Sequence, residues 1–327
     1  MRWLSDKTLD HLRTLAGQPD LTSTKYRLLG EIGRGGMGTV YLVRDEALNR
    51  QVALKVLNIP ELSEEAASRL LREARILAQL EHPEIVPMHD AGRLPDGRVF
   101  YVMKRVRGRR LDEYRQEATS RADLLRIFEK LCEAVAFGHA NGVIHRDLKP
   151  ENIMVGSFGE VLVMDWGVAK VLAEQDSPGP VAVSEPAAPP AATAPGTVLG
   201  TPAYMAPEQA RGEVERVREP SDVYALGAIL HFLLTGRAPA EPGATSPVRA
   251  LGAVCRKATA ADAALRYPSA KELGAEVARF LNGLPVLAYK EGVFERTARV
   301  VRQNRTAVIL VLAYLLMRSL ILFFAGR

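Results

Sequence analysis

Two cysteines in 327 residues leave little scope for thiol chemistry. Cys132 and Cys255 stand far apart in apolar surroundings and match no metal-ligand spacing, which excludes a disulfide framework and points to buried thiols in a reducing compartment. Charge of one sign is also scarce. The 43 basic residues face 38 acidic ones, an excess too small for a nucleic-acid binder, and no basic stripe interleaved with aromatics occurs in the globular part. No nucleic-acid partner is expected. The amino terminus, MRWLSDKTLDHLRTL, lacks the apolar core of a signal peptide, and no internal repeat is visible. What remains is ordinary soluble protein, 47% hydrophobic and 25% charged, long enough for one large two-lobed unit with appendages.

Periodicity changes along the chain. YRLLGEIG, TVYLVRD and QVALKVL, within Tyr26 to Leu57, are rich in β-branched and aromatic residues and separated by glycine or polar turns, so they predict an antiparallel meander. Ser63 followed by Glu64 and Glu65 predicts a capped helix with Leu70, Ala74 and Leu77 on one stripe. Strand-like runs around Ile85 to Met88 and Arg98 to Val106 complete a small lobe. From Arg121 the pattern turns helical, with LLRIFEKLCEAVAFGHANG ending at Gly142 and, later, DVYALGAILHFLLTG ending at Gly236. Two short strands, in ENIMV and EVLVMDWG, lie between. Residues 175–196 are dominated by Pro and Ala and predict a mobile segment.

The chemistry concentrates in HRDLKPEN, from His145 to Asn152. Phosphoryl transfer asks little covalent chemistry of a protein; it needs a base, cations and metal ligands in fixed geometry. Asp147 is suited to accept a hydroxyl proton, Lys149 to screen a moving phosphoryl, and Asn152 to offer a neutral oxygen to a hard cation. A charged surface turn is the bland alternative, so the rest of the chain must decide. GRGGMG carries Gly33, Gly35 and Gly38 in a pattern shared with dinucleotide sites, yet here a strand follows where those sites need a helix. A nicotinamide-dependent enzyme is disfavoured on that ground. The resulting hairpin can fold over phosphates, with Val40 capping a base. Lys55, charged among apolar strand neighbours, needs a partner, and Glu73 on the following helix is the expected one. Asp165 ends an apolar run and pairs with Asn152 as a magnesium site. Arg266 is a cation for Glu208.

In this order, GRGGMGTV, VALK, Glu73, HRDLKPEN, DWG, GTPAYMAPE and SDVYALG resemble the protein kinase superfamily, and most closely its bacterial eukaryotic-type serine/threonine members. The resemblance covers about Tyr26 to Leu284. It implies an α+β, two-lobed protein-kinase-like fold with a small antiparallel β lobe bearing one helix (26–107) and a larger, mainly helical lobe (108–284), preceded by an extension (1–25). It implies a non-specific serine/threonine protein kinase, an EC 2.7.11.1-type enzyme, that uses ATP with Mg2+ or Mn2+. ATP would lie against Ile32, Gly33, Arg34, Gly35, Gly36, Met37, Gly38, Val40, Ala53, Met103 and Met154. Lys55 would hold the α and β phosphates and pair with Glu73. Asp147 would orient or deprotonate the substrate hydroxyl, Lys149 would stabilise the transferred group, and Asn152 and Asp165 would bind the metal. Thr201 would sit by Asp147, and Arg146, Glu208, Asp222 and Arg266 would hold the activation region. Phosphorylated Thr193 or Thr197 would supply an anion to Arg146, and a homodimer would permit this in trans. Trp166 stands where the family usually has Phe, enlarging the plug between His145 and Leu77. The departures in the large lobe keep a second reading open, a nucleotide-binding pseudokinase that scaffolds a signalling complex.

The last apolar stretch, Ala307 to Ala325, is long enough at ~1.5 Å per residue for a transmembrane helix. Arg296, Arg299, Arg302 and Arg305 precede it in a basic linker (285–306), which sets the catalytic unit on the cytoplasmic side of a single-pass cell-membrane protein. Arg318 inside the stretch would cost about 2.5–3.5 kcal/mol at a bilayer centre, less if it snorkels.

Overall fold

A computed structural model describes residues 18–35, 38–58, 63–117, 120–166, 202–239 and 248–325. The small lobe is the expected meander: β1 (Tyr26–Gly35), β2 (Gly38–Asp45) and β3 (Arg50–Leu57), then α1 (Glu64–Ala78), β4 (Met88–Arg93) and β5 (Val99–Lys104). The five strands form one antiparallel sheet in the order β1-β2-β3-β5-β4. Its two faces bury different sets. Val43, Val52, Leu54 and Val102 pack on one, while Leu57, Val99 and Tyr101 meet Ala67 and Leu70 of α1 on the other. Alternation along a strand sends successive side chains to opposite faces, which is why a single run of apolar residues in β3 serves both cores. Ser63 caps α1, its Oγ accepting from Ala66 N at 3.1 Å.

One strand lies later than its sequence suggested. Ile85 to Met88 was expected to be extended in the small sheet, but β4 starts at Met88. Pro87 has no N–H for a ladder, and the residues before it bond to the other lobe: Val163 N donates to Glu84 O at 2.8 Å and Val86 N to Val163 O at 3.2 Å.

The large lobe holds β6 (Arg109–Arg110), α2 (Leu111–Glu117), α3 (Arg121–Ala140), β7 (Ile153–Val155), β8 (Val161–Val163), α4 (Pro207–Ala210), α5 (Glu219–Thr235), α6 (Arg249–Ala258) and α7 (Ala270–Leu281). Both expected helix ends are present, with Gly142 and Gly236 at φ 74° and 75°, the left-handed conformation that glycine adopts without penalty. Helix α5 is buried nearly all round, from Val223 to Leu234, and α3 supplies Leu125, Phe128, Leu131 and Val135 to the same core. Cys132 and Cys255 are free and buried in it. Desolvation pushes both thiols up, that of Cys255 to about 12, so neither is a nucleophile.

After the large lobe come α8 (Val293–Gln303) and α9 (Arg305–Ala325). Among the described residues no helix is long and apolar enough to cross a membrane. Within α9, side chains are described without a break only from Val308 to Ser319. The transmembrane helix expected at 307–325 is therefore present as a helix of 21 residues and not shown as a span.

Candidate active site

Strand register gathers most of the nucleotide residues on one end of the small sheet. Gly33 pairs with Val40, Val40 with Lys55, and Ala53 with Met103. Ile32 is exposed above them, and Arg34 is held by Glu31, its Nη2 donating to Oε2 at 2.7 Å. Gly38 is required by close approach: a Cβ there would lie 2.4 Å from the Val56 carbonyl oxygen. Met154 lies in β7 of the large lobe and is partly exposed. Gly36, Met37, Thr201, the phosphosite candidates Thr193 and Thr197, and the whole of 175–196 lie outside the described residues.

The catalytic loop is built around Asp147. Lys149 Nζ donates to its Oδ2 at 2.9 Å, and Asn152 Nδ2 donates to its carbonyl at 2.8 Å and to Oδ2 at 3.1 Å. Cation and amide thus both bond the Asp147 carboxylate, which brings the three residues of the loop together. What holds the loop is α5. The buried Asp222 accepts from His145 N at 2.7 Å and Arg146 N at 2.9 Å, and sits 2.8 Å from His139 Nε2. Gln209 Nε2 donates to Arg146 O at 2.9 Å. His145 Nε2 lies 2.9 Å from the Met164 carbonyl, and burial lowers its pKa, which keeps the ring neutral. Arg146 and Asp165 have φ of 64° and 54°. Non-glycine residues adopt this region at a cost, and it is met here at two positions of the site.

The second cluster differs from the expected one. Lys55, almost wholly buried, donates to Asp165 Oδ1 at 2.7 Å, and Tyr101 Oη is 3.4 Å from the same oxygen. Burial alone would lower the lysine pKa, but the Tyr101 and Asp165 contacts outweigh it and raise the value. Glu73 is not the partner. Its Oε2 is buried without a hydrogen bond, and desolvation raises its pKa against the opposing fields of Arg146 and Arg69. An ammonium in a dry site takes the carboxylate that reaches it; helix α1 places Glu73 toward Arg146, and the strand end carrying Asp165 reaches Lys55 first. Asn152 and Asp165, expected to share a metal, lie on segments kept adjacent by Met164 N, which donates to Asn152 O at 2.9 Å.

This donor set suits a magnesium ion. The Asn152 nitrogen is committed to Asp147, which leaves Oδ1 as the ligand atom, and one carboxylate plus one amide oxygen is the sparse protein share expected of a metal that keeps waters and substrate phosphates. Among the described residues there is no cluster of three or more His, Cys, Asp and Glu for a cage. Farther off, Glu208 and Arg266 meet as expected, with Arg266 Nη1 and Nη2 donating to the two carboxylate oxygens at 2.7 and 2.8 Å.

A protein kinase domain family matches residues 26–290. The chain belongs to the protein kinase family. Over 302 aligned residues it is 36% identical to the serine/threonine-protein kinase PknD of Chlamydia felis, covering 80% of this chain and 31% of that protein. Over 303 residues it is 38% identical to PknD of Chlamydia trachomatis serovar D, covering 80% and 32%. The chain spans about a third of the length of these curated relatives. The solved Mycobacterium tuberculosis PknI kinase domain superposes with a TM-score of 0.59 at 26% identity, covering 78% of this chain and 96% of that one. The two-lobed kinase fold expected from the motifs is the fold observed. Asp222 was expected to hold the activation region; that it anchors His145 and Arg146, with His139 beside it, was not read from the motifs. No spacing rule announces a carboxylate 77 residues away that binds two backbone amides.

Proposed function

We propose that this kinase unit transfers the γ-phosphoryl of ATP to serine and threonine hydroxyls of proteins, its own activation segment included. The carboxylate of Asp147, fixed by Lys149 and Asn152 within 3.1 Å and by the hanging of its loop from Asp222, is the observation that carries the reading. Asp147 orients the acceptor hydroxyl and takes its proton; Lys149 stays beside it to meet the charge that develops on the transferred group. Asn152 and Asp165 would hold Mg2+, or Mn2+ in its place, and the ion would supply positive charge against the developing phosphoryl charge. Lys55 holds the α and β phosphates. Phosphorylated Thr193 or Thr197, in trans within a homodimer, would give Arg146 its anion. Incubation with magnesium and γ-labelled ATP, followed by phosphoamino-acid analysis, should find label on serine and threonine. Nucleotide binding with no label would instead support the pseudokinase scaffold.

Transfer requires Lys55 to exchange Asp165 for Glu73, so that Asp165 is released to its own task. Glu73→Gln should therefore separate stability from activity. The variant removes a desolvated carboxylate, so its melting midpoint should equal or exceed that of wild type, while the transfer rate falls by about tenfold or more. A midpoint several degrees lower would show that Glu73 is paired in the resting protein.

We also propose that the chain is tethered to the cell membrane with the kinase unit cytoplasmic. Supporting this are the exposed Leu310, Leu312 and Leu316 of α9 and the arginines before it. Deleting 307–327 should move the protein from the membrane to the soluble fraction; unchanged fractionation would refute the tether.

A further inference from the structure

Trp166 follows Asp165 and fills the space behind it, nearly buried. Its ring lies 4.9 Å from that of His145, and with Leu77, Tyr101 and Met103 it lines a cavity between the lobes. The indole Nε1 is buried without a hydrogen-bond partner. No polar contact therefore fixes the ring. Its position is set by shape alone, and shape fails against one residue in particular. Gly138, in the last turn of α3, is covered by the six-membered ring of the indole: a Cβ on Gly138 would lie 2.4 Å from both Cη2 and Cζ3 of Trp166. Atoms do not approach so closely, so any larger residue must displace the ring.

Glycine inside a helix costs about 1 kcal/mol relative to alanine, and Gly138 lies on the buried face of the amphipathic α3. Its carbonyl accepts from Asn141 N at 3.0 Å and Val143 N at 2.9 Å in the turn that closes the helix, a role that any residue's carbonyl fills. Helix α3 runs unbroken to Ala140, and the left-handed glycine that ends it is Gly142. The close approach of the indole explains the glycine at 138.

We propose that Gly138 is a positioning residue for phosphoryl transfer, a notch cut for Trp166 that sets where Asp165 stands. The chain of contacts is short. Gly138 admits the indole, the indole fills the space under the strand end, and the neighbouring Asp165, at φ 54°, has little backbone freedom to compensate for a shifted ring. Adding a methyl at position 138 pushes the ring outward and carries the carboxylate with it. A displacement of about 1 Å in a catalytic group costs on the order of a hundredfold in rate. The inference rests on the kinase reading and assigns a role to two residues which that reading leaves unused.

The test is a double-variant cycle on the full chain. Gly138→Ala should lower kcat by about a hundredfold and raise the magnesium concentration needed for half-maximal rate, with the KM for ATP changed far less. Trp166→Phe, whose smaller ring leaves the added methyl room, should be less impaired. The double variant should return to the rate and magnesium requirement of Trp166→Phe alone. A glycine needed only for its backbone conformation would give no recovery in the double variant, and one needed only for stability would leave the magnesium requirement unchanged. Wild-type turnover in Gly138→Ala, absence of recovery, or a Trp166→Phe enzyme as impaired as Gly138→Ala would each overturn the proposal. If Gly138→Ala fails to fold, the double variant must still fold and match Trp166→Phe, or the proposal is lost. Should wild type transfer no phosphate, the kinase reading fails separately, and the melting midpoints still report the fit: lowered in Gly138→Ala, recovered in the double variant.

Discussion

Asp147→Asn should lower kcat by about 10²- to 10⁴-fold while leaving the affinity for nucleotide near that of wild type. The change is nearly isosteric, so the loop keeps its shape. His145 N and Arg146 N still bind Asp222, and Asn152 Nδ2 still donates to the carbonyl of residue 147. What is lost is a base. An amide cannot take the hydroxyl proton, and proton transfer by a positioned side chain is worth about that factor. It also meets Lys149 with a neutral oxygen in place of the carboxylate now 2.9 Å from Nζ. The nucleotide-facing residues on β1, β2, β3 and β5 are untouched, which places the whole loss in turnover. Initial rates with γ-labelled ATP, together with a nucleotide titration by fluorescence, separate the two quantities. Retention of more than about a tenth of the wild-type rate would remove Asp147 from the role of base.

The second large effect is on stability. Arg266→Ala should cost about 3–5 kcal/mol, because it strands the buried carboxylate of Glu208. In the native protein the guanidinium is fully enclosed. Besides Glu208 it donates to the carbonyls of Pro220, Ala260 and Ala261, at 2.9, 2.8 and 3.2 Å. Without it Glu208 keeps the Ser221 hydroxyl, at 2.7 Å. For a unit of this size the melting midpoint should drop by roughly 6–20 °C; a drop of a degree or two would show that the site relaxes. The pair also gives acid sensitivity of defined sign. Burial pushes the Glu208 pKa up, but the Arg266 and Ser221 hydrogen bonds outweigh it and hold the value at about 2, below the ordinary 4.5. A depressed folded-state pKa contributes stability above the unfolded value and loses it as pH falls toward the folded one. The stability advantage of wild type over Glu208→Gln should thus be complete above about pH 5 and shrink steadily toward pH 3.

Legibility in the sequence followed the range of the forces involved. Strands β1 to β3, the Ser63 cap and the glycine stops at Gly142 and Gly236 depend on residues a few positions apart, and they appear where local pattern put them. Asp147, Lys149 and Asn152 fall within one loop, so spacing sufficed for them as well. Pairings between distant segments divide differently. Glu208 and Arg266 were legible because each buried charge needs an opposite one and the family order supplied both. Lys55 had two acidic candidates, and sequence cannot say which carboxylate arrives, since that depends on how α1 sits against the sheet. Strand β4 was misplaced because Ile85 is apolar for a reason other than the small sheet: it pairs with Val163 in the large lobe. Gly138 was invisible for a simpler cause. A missing side chain leaves no pattern, and its purpose is plain only when the indole above it is seen.

The anchoring of His145 and Arg146 to Asp222 ties the loop of Asp147 to the core of the large lobe. Helix α5, buried nearly all round, carries that loop, whereas Lys55 belongs to the small sheet and reaches across to Asp165. The geometry of residue 147 is thus inherited from the interior of the large lobe, and Lys55 is the side chain from the small sheet that meets it, through Asp165.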